Sequence, residues 1–364
     1  MTNSLGVRLR AVTPDDIPGL IALARAAFDT NWTEAFVAWK YFQNPAGSVV
    51  GACADSDGRV VASFGHTPVR LKLGNAAATS VQSVDAMVLP EFRRQKLFYQ
   101  LAQQTYTRLD AAGMSPAYVF PAAAVRTPFV GQFGYAEAGP VPRFVKVVQS
   151  VTLGQSLGRP GPKSWLDRLA WLASRARRAA LSPAPSKAGL RLAAISQFDD
   201  RFDQLWQQAS AVLTIGAIRD AAYLNWRYCQ NPLRDYTILT VECGLRLAGY
   251  AILSVDPQRQ VTHIVELLVD VGQPAAGYWL LADATERARQ AGCAQIQCWM
   301  LPQHRFYVRL LEQSGFAFWP SRALPGWLGY TTPFIVRAGP GEARAIDVTT
   351  LGNWFLSMGD HDYY

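Results

Sequence analysis

The residues that suggest chemistry lie in the stretch 81–112, which reads VQSVDAMVLPEFRRQKLFYQLAQQTYTRLDAA. An apolar run rich in β-branched residues ends at Pro90, and a polar elbow follows with Arg93, Arg94 and Lys96. Apolar residues then recur at helical spacing, which predicts a strand, a basic turn and a helix. A helix N-terminus favours an anion, and three cations strengthen that preference. The elbow is therefore a candidate pyrophosphate site.

This stretch resembles the cofactor motif of the GCN5-related N-acetyltransferases, in which a strand ending in Pro precedes Arg/Gln-x-x-Gly-x-Gly/Ala and a helix. Pro90 and Arg93 match that motif, whereas Lys96 and Phe98 stand at its two glycine positions. Lys96 is the serious departure, because glycine lets the backbone approach a phosphate closely. The alternative interpretation of residues 93–96 is a solvated basic helix start without a ligand.

The resemblance implies transfer of an acyl group from acetyl-CoA, or another acyl-CoA, to an amine by direct attack on the thioester. In that fold the pantetheine pairs with backbone at the end of the fourth strand, which corresponds here to Met87 and Val88. The pyrophosphate would contact the elbow, that is, Arg93, Arg94, Gln95, Lys96, Leu97 and Phe98.

A catalytic base is needed because an amine is mostly protonated at neutral pH. Asp85 lies mid-strand on an otherwise apolar run before the elbow, where burial would raise its pKa toward a useful value. The alternative is a buried carboxylate that anchors neighbouring backbone. Glu266 has the equivalent place in the second half of the chain, which lacks the elbow, and this recurrence favours the structural interpretation.

The leaving thiolate needs a proton, and the family usually supplies it from a Tyr four residues before the motif glycine. That glycine corresponds to Gly134, so the Tyr position is occupied by Val130. Tyr118 and Tyr135 are nearby substitutes, and Tyr135 is the predicted acid. The alternatives are packing roles for both tyrosines and protonation by solvent.

The closing segment GDHDYY, residues 359–364, is both acidic and aromatic. Trp354 and Phe355 precede it and suggest that it docks on the protein. Asp360 or Asp362 would then hold a substrate ammonium or act as base, and Asp360 is the predicted catalytic residue. The alternative is a frayed terminus.

The second half of the chain repeats the first. WKYFQNP at residues 39–45 recurs as WRYCQNP at 226–232, and three further matches follow in the same order. The counterpart of the basic elbow is GQPAAG at residues 272–277, which has no cation. Only the first copy is therefore predicted to bind acyl-CoA.

The order of strands and helices predicts a mixed sheet flanked by helices. Together with the repeat, the resemblance implies an α/β (α+β) fold with two tandem acyl-CoA N-acyltransferase-type domains, each a mixed, mostly antiparallel sheet flanked by helices. Two strands after Gly134 are expected to close the first domain. The stretches WKYFQNPAG, LNWRYCQNPLRDY and NWFLSMGDHDYY resemble bacterial tandem acetyltransferase-fold proteins with a degenerate second domain. The predicted divisions are residues 1–149 with the acyl-CoA site, a linker at 150–189, a degenerate domain at 190–340 and a tail at 341–364.

The net charge of +8 is concentrated in one place. Residues 150–190 contain seven cations and one anion, which account for +6, so a nucleic-acid surface is not supported. An amphipathic helix from Trp165 to Arg178 would either contact an anionic membrane peripherally or pack on a neighbouring domain. No apolar run reaches the roughly 18 residues that span a bilayer, and the N-terminus lacks a signal-peptide core.

The five cysteines show neither metal-ligand spacing nor a nearby His pair, so we expect reduced core thiols and no metal. These patterns predict a cytoplasmic protein, and the resemblance implies a bacterial N-acetyltransferase that acts on a small amine. The kind of bacterial protein that the chain resembles favours an amino sugar of surface polysaccharide synthesis as the acceptor. The rival hypothesis is a non-catalytic binding or scaffold protein that has kept the fold.

Overall fold

The computed structural model describes residues 7–149, 189–319, 332–339 and 346–362 of the chain. The predicted linker helix from Trp165 to Arg178 lies outside these residues, so its contact with a membrane or a domain stays a prediction. Within the described ranges, no helix combines the length and the apolarity that crossing a bilayer requires.

Both halves of the chain contain helices and strands. The helices are α1 (Ile17–Phe28), α2 (Glu34–Phe42), α3 (Leu97–Ala111), α4 (Ala123–Gln132), α5 (Asp200–Ala209), α6 (Ala221–Leu224), α7 (Pro274–Gln290) and α8 (Arg305–Gln313). The strands are β1 (Arg8–Ala11), β2 (Val50–Ser56), β3 (Arg59–Leu73), β4 (Ala76–Val88), β5 (Ala117–Val119), β6 (Ala136–Val141), β7 (Arg143–Val147), β8 (Leu190–Ile195), β9 (Ile215–Ala217), β10 (Thr237–Cys243), β11 (Arg246–Asp256), β12 (Val261–Val269), β13 (Gln295–Trp299), β14 (Ala317–Trp319) and β15 (Thr332–Arg337).

The strands form two sheets. The first has the order β1-β2-β3-β4-β5-β15-β6, with β9 paired to the far end of β3, and the second has the order β14-β7-β13-β12-β11-β10-β8. Among the strands of the described residues, only the pairs β4–β5 and β12–β13 are parallel. The predicted fold class, two mostly antiparallel sheets flanked by helices, is confirmed.

The two sheets exchange one strand each. β7 follows β6 in the chain but pairs with β13 and β14 of the second sheet. In return, β15 pairs with β5 and β6 of the first sheet. The expectation that two strands after Gly134 close the first domain is therefore wrong for the second of them, because β15 occupies its place. The domain limits at residues 149 and 190 stay a prediction. Hydrogen-bonded strand pairs join residues from the two sides of these limits.

Hydrophobic packing also joins the halves. The larger core combines Phe144 of β7 and Tyr118 of β5 with Phe334 of β15 and the strands of the second sheet. Burial of apolar surface that both halves contribute favours folding as one unit.

The sequence repeat agrees with the structure at each matched position. Arg59 and Arg246 begin β3 and β11, and the matched runs that end at Val88 and Val269 close β4 and β12. Gly134 and Gly315 both have a left-handed backbone, with φ of 72° and 85°. The two halves thus place the same residues at equivalent points, which is consistent with two tandem domains of one fold.

The tryptophans of the repeated motif form a reciprocal pair at the junction. Trp39 and Trp226 stack with ring centroids 5.1 Å apart. Trp39 Nε1 donates to the Trp226 carbonyl over 2.7 Å, and Trp226 Nε1 donates to the Trp39 carbonyl over 3.0 Å. Because equivalent residues exchange equivalent bonds, a local two-fold relation links the halves at this point.

The C-terminal tail docks between the halves, so the frayed-end alternative is wrong for its described part. The backbone N–H of Phe355 donates to the Ile215 carbonyl over 2.7 Å, and Trp354, Phe355 and Met358 are buried. Arg227 binds the carbonyls of Gly359 and His361. Apolar packing and hydrogen bonds thus both hold the tail in place.

The cysteines are all free. Cys53, Cys293 and Cys298 are buried, as expected of core thiols. Cys229 and Cys243 are exposed, because they stand at the end of the turn after α6 and at the end of β10.

We predict that the junction tryptophans contribute as a pair. Trp226→Phe should lower the free energy of unfolding by about 1–3 kcal/mol, because the Trp39 carbonyl loses its buried donor. Trp226→Ala should cost about 3–5 kcal/mol, since stacking is lost as well. Urea unfolding of both variants measures the difference, and equal costs would contradict a stacked, hydrogen-bonded pair.

We also predict that Gly359→Ala displaces the tail. A Cβ atom at Gly359 would lie 1.9 Å from the Tyr228 hydroxyl and 2.7 Å from Glu266 Oε1, so the tail cannot dock unchanged. Hydrogen exchange of residues 357–362 should accelerate. Gly352→Ala is the matched control, because the nearest atom to its Cβ, on Thr350, is 3.8 Å away; slow exchange in both variants would show that the tail does not need this contact.

Candidate active site

The predicted elbow connects β4 to α3. A 3-10 turn over Pro90–Phe92 follows β4, and α3 begins at Leu97. Arg94 and Lys96 both have left-handed backbone, with φ of 63° and 61°, a conformation that favours glycine. Lys96 is the N-cap residue of α3, and it makes no side-chain cap hydrogen bond. The glycine position of the family motif thus keeps a glycine-like backbone although a lysine occupies it.

The three cations of the elbow, Arg93, Arg94 and Lys96, are exposed to solvent. Arg93 is also tied to the end of β4, because its Nε donates to the Val88 carbonyl over 3.3 Å. Exposed cations beside a helix start without a side-chain cap form an environment that suits a phosphate group. This geometry fits the pyrophosphate site that the resemblance implies, and the assignment stays a prediction.

The other three elbow residues have structural contacts. Gln95 Nε2 donates to the Glu91 carbonyl over 3.1 Å and closes the turn. Leu97 is buried, and Phe98 packs against Phe64 with ring centroids 5.4 Å apart. For Leu97 and Phe98, only the backbone N–H groups are therefore available to a ligand.

The end of β4 has an open edge. In the described part of the chain, β4 pairs with β5 only at Val81 and Gln82, and the strands then diverge. The opposite edge of β4 stays paired with β3 up to Val88. Residues 83–88 can thus accept an extended ligand through their backbone. Met87, whose side chain is buried, and Val88 lie on this edge.

A cavity of about 720 Å³ opens where β4 and β5 diverge. Residues 83–86 and 119–122 form two of its walls, and residues 30–32, residues 231–234 and the tail contribute to the others. Seven aromatic rings line it, those of Phe28, Trp32, Phe36, Trp39, Phe64, Phe120 and Phe129. Both halves of the chain therefore build this cavity.

Three charged side chains meet in the cavity, and we call Lys40, Asp85 and Asp362 the ionic centre. Lys40 Nζ lies 2.7 Å from Asp85 Oδ2 and 3.2 Å from Asp362 Oδ2. Tyr41 donates its hydroxyl hydrogen to the same Asp85 Oδ2 over 3.0 Å. No hydrogen bond to Asp85 Oδ1 is formed among the described residues. The second oxygen of Asp85 is thus available to a ligand.

Asp85 lies at a break in the strand register. Ser63 faces Met87 and Gly65 faces Val84, so one residue of β3 faces both Asp85 and Ala86. Asp85 itself has a φ of 51°. A left-handed backbone at a residue other than glycine costs on the order of 1–3 kcal/mol and persists only where its surroundings enforce it. The bulge turns the Asp85 carboxylate into the cavity.

The pKa values of the three groups in the ionic centre are shifted in different directions from their ordinary values. Burial raises the pKa of Asp85, although Lys40 opposes this shift. Burial also disfavours the ammonium of Lys40, but Asp85 and Asp362 outweigh it and raise the pKa of Lys40. Burial disfavours the Asp362 carboxylate too, yet Lys40 and His361 outweigh it and lower the pKa of Asp362. Asp85 is therefore the member of the centre best suited to gain and lose a proton.

The tail brings Asp362, and not the predicted Asp360, to the cavity. Asp360 is buried two residues earlier, where its Oδ2 accepts from Arg219 Nη2 over 2.8 Å. Asp362 is the carboxylate that lines the cavity beside His361, whose ring stacks on Phe120 with centroids 5.0 Å apart. The short turn over Met358–Asp360 ends at Asp360, and the chain then continues through His361 to Asp362 at the cavity.

The second half contains an equivalent centre that is closed. Arg219 lies between Glu266 and Asp360, at 2.8 Å from each, and all three side chains are buried. Tyr228 donates to Glu266 Oε1 over 2.9 Å, just as Tyr41 donates to Asp85. Each centre thus has a cation between two carboxylates. One of them comes from a strand, β4 in the first centre and β12 in the second, and the other comes from the tail. In the second centre, Gly359 packs directly on Tyr228 and Glu266.

The predicted acid Tyr135 lies behind the cavity wall. Its hydroxyl is 2.7 Å from Ser83 Oγ and accepts from Tyr106 over 3.1 Å. Burial raises the pKa of Tyr135 to about 12. Ser83, not Tyr135, lines the cavity. Tyr118 is buried in the larger core, so packing accounts for it.

Sequence reasoning missed Lys40, Tyr41 and Ser83. The signal for the first two was present, since Lys40-Tyr41 recurs as Arg227-Tyr228 in the repeated motif. The tyrosines make the same contact in both copies, with Asp85 and with Glu266. Arg227, in contrast, binds tail carbonyls, and Arg219 supplies the cation of the second centre.

Comparisons with known proteins identify a domain family for part of the chain and relatives of its fold. Residues 8–138 match a family model for an acetyltransferase (GNAT) domain. A search of curated proteins gives no match.

Solved structures resemble the chain over most of its length. A GCN5-related N-acetyltransferase from Anabaena variabilis is 13% identical, with 91% of this chain and 72% of that chain covered and a TM-score of 0.62. One from Kribbella flavida is 13% identical, with coverage of 91% and 71% and a TM-score of 0.60. Saccharomyces cerevisiae N-myristoyltransferase with bound myristoyl-CoA is 12% identical, with coverage of 92% and 80% and a TM-score of 0.56.

At these identities the structural likeness shows the fold, and the family model adds the domain assignment. Residues 8–138 are thus an acetyltransferase (GNAT) domain, and the predicted membership of the GCN5-related N-acetyltransferases, a class of N-acyltransferases, is confirmed for this part of the chain.

Proposed function

We propose that the protein is an acyl-CoA-dependent N-acyltransferase that binds acetyl-CoA on its first half and acylates a small amine. The observation that carries this proposal is the position of Asp85. This carboxylate lies on the open edge of β4 and lines the cavity, so it borders both the predicted acyl-CoA strand and the space for an acceptor.

The chain offers acyl-CoA two matching surfaces. The exposed cations Arg93, Arg94 and Lys96 at the start of α3 suit a pyrophosphate. The edge of β4 that faces away from β3, at Met87 and Val88, suits the amide groups of pantetheine. When bound, acyl-CoA supplies the acyl group as an activated thioester.

Asp85 is the proposed base. Its Oδ2 is fixed by Lys40 and Tyr41, which leaves Oδ1 to take a proton from the acceptor ammonium. The free amine that results has the lone pair with which the nitrogen attacks the thioester. The raised pKa of Asp85 brings its proton affinity closer to what a base needs near neutral pH. Tyr41 and Lys40 keep the carboxylate oriented throughout.

Asp362 is the proposed binding group for the acceptor ammonium. Its lowered pKa keeps it ionised, and it lines the cavity close to Asp85 through their shared partner Lys40. Both carboxylates contact the ammonium of Lys40, and Asp85 keeps one oxygen without a hydrogen bond to the described residues for the incoming cation. Asp360, which is bound to Arg219, has a positioning role for the tail instead.

Three hydroxyl groups in contact with one another provide a route for a proton to the leaving thiolate. Ser83 Oγ lines the cavity and contacts the Tyr135 hydroxyl, which contacts the Tyr106 hydroxyl. In the proposed role for Tyr135, its proton passes through Ser83 to the thiolate. The acceptor that the sequence analysis favours, an amino sugar, has the small amine that this mechanism requires.

We predict that Asp85→Asn lowers kcat about 100-fold or more, the usual contribution of a general base. In the wild type, kcat/KM should fall as the pH drops through the Asp85 pKa, which is raised above its ordinary value of 3.8. The acid limb arises because protonated Asp85 cannot accept the acceptor's proton, and it should be absent in Asp85→Asn. Thiol release measured between pH 4 and 9 tests this, and an unchanged limb in the variant would refute Asp85 as the base.

We predict that Arg93→Ala and Arg94→Ala each weaken acetyl-CoA binding about tenfold or more, because each removes a charged donor to phosphate. Arg126→Ala is the matched control, since this exposed arginine on α4 pairs with Glu137 instead. Lys96→Gly should retain binding better than Lys96→Asp, because glycine suits the left-handed backbone. Isothermal titration measures all five variants, and absence of acetyl-CoA binding by the wild type would leave the non-catalytic binding protein as the function.

A further inference from the structure

The ionic centre is surrounded by aromatic faces. Lys40 Nζ lies 5.5 Å from the centroid of the Trp32 ring and 5.9 Å from that of Phe36. On the tail side, Phe120 stacks on His361, the neighbour of Asp362. Aromatic faces together with carboxylates attract alkylammonium groups. The pocket already holds one such group, the ammonium of Lys40.

The ionic centre has two carboxylates, those of Asp85 and Asp362, and one ammonium, that of Lys40. Arg234 also lines the cavity and the charge of Arg227 acts on Asp362, so two further cations lie near these carboxylates. His361 has a pKa lowered by burial and stays neutral near pH 7. The place for an incoming ammonium is therefore Asp85 Oδ1, which forms no hydrogen bond to the described residues.

The rest of the cavity is mainly apolar. Beyond the ionic centre, seven aromatic rings and aliphatic side chains such as Val84 and Val125 outnumber the polar lining side chains. Among the polar ones, Asn31 and Arg234 line the cavity, and the Asn231 amide is bonded to Tyr236 and Leu233. Ser83 is already bonded to Tyr135. Thr30 contributes one buried hydroxyl that forms no hydrogen bond to the described residues. Such a wall suits an apolar body with few polar groups.

The apolar lining continues to the surface. Phe28 at the end of α1 is 45% exposed and Leu233 of the second half is 46% exposed, and both line the cavity. Apolar side chains from both halves thus reach solvent beside the same opening. An acceptor with an apolar body would cover them on binding.

We infer that the acceptor is a primary alkylamine carried on an aromatic or otherwise apolar body, and not an amino sugar. This inference rests on the proposed function and specifies its acceptor. The ammonium is bound by Asp362 and Asp85, and the body packs against Trp32, Phe36 and Phe120. The cavity volume of about 720 Å³ is large enough for such a body beside the acyl end of the donor.

The test compares 2-phenylethylamine with glucosamine as acceptors for the full-length protein and acetyl-CoA. We expect kcat/KM for 2-phenylethylamine to be at least about tenfold higher, because stacking and cation–π contacts favour it. The uncharged 2-phenylethanol should compete weakly, since it lacks the ammonium. Equal or better turnover of glucosamine would overturn the inference and leave the proposed function intact.

Binding measurements separate the remaining outcomes. Quenching of tryptophan fluorescence by 2-phenylethylamine reports occupancy, because Trp32 and Trp39 line the cavity. If acetyl-CoA binds and 2-phenylethylamine neither binds nor reacts, the acceptor class is wrong. If acetyl-CoA itself does not bind, the proposed function fails, and the inference fails with it.

Variants of Trp32 locate the acceptor body. Trp32→Ala should raise KM for 2-phenylethylamine about 3- to 30-fold without changing the affinity for acetyl-CoA, because an aromatic face is lost on the acceptor side. Trp32→Phe is the matched control and should stay within about threefold of the wild type, since it keeps a ring. A rise in KM for acetyl-CoA and none for the amine would place the apolar wall on the acyl side and overturn the inference.

Discussion

The buried guanidinium of Arg219 is the interaction on which the rest of the structure depends. It has no solvent exposure and binds Glu266, Asp360, Ser357 and the carbonyl of Ala217. Removing one partner of a buried ion pair costs roughly 3–5 kcal/mol, because the remaining charge stays desolvated. Arg219 therefore holds Asp360, Asp360 holds the tail, and the tail holds Asp362 beside Lys40. A charge in the second half thus determines the geometry of the cavity in the first.

The two centres show how one arrangement serves two purposes. In both, a tyrosine and a cation contact a carboxylate on a strand, Asp85 on β4 or Glu266 on β12, and the tail supplies a second carboxylate. The difference lies in the space around them. Asp85 borders an open cavity, whereas Glu266 is covered by Gly359 and has no exposure. The same polar contacts thus support a site for a ligand in one half and a structural anchor in the other.

The sequence was sufficient for the features that depend on local patterns. Residues 81–98 predicted the strand, the elbow and the helix because periodicity and turn residues are local signals. The left-handed backbone at Lys96 also agrees with the motif, which has glycine there. The duplication was visible because it is a repeat of residue types, and it remains the clearest guide to Tyr41 and Tyr228.

Long-range choices could not be predicted in the same way. Tyr41 and Asp85 are 44 residues apart, and their contact depends on how α2 packs over the sheet. Asp360 and Asp362 are alike in sequence, and only the path of the tail, in which a short turn ends at Asp360, decides which one is buried with Arg219. The exchange of β7 and β15 was also hidden, since a short alternating strand can satisfy the edge of either sheet.

That exchange explains why a copy without a basic elbow persists. Without β15, the first sheet would have a gap between β5 and β6, and two rows of backbone donors and acceptors would lose their partners. Without β7, the second sheet would have the same gap between β13 and β14. Selection can thus remove ligand binding from one copy, but it cannot delete that copy, because each half completes the other.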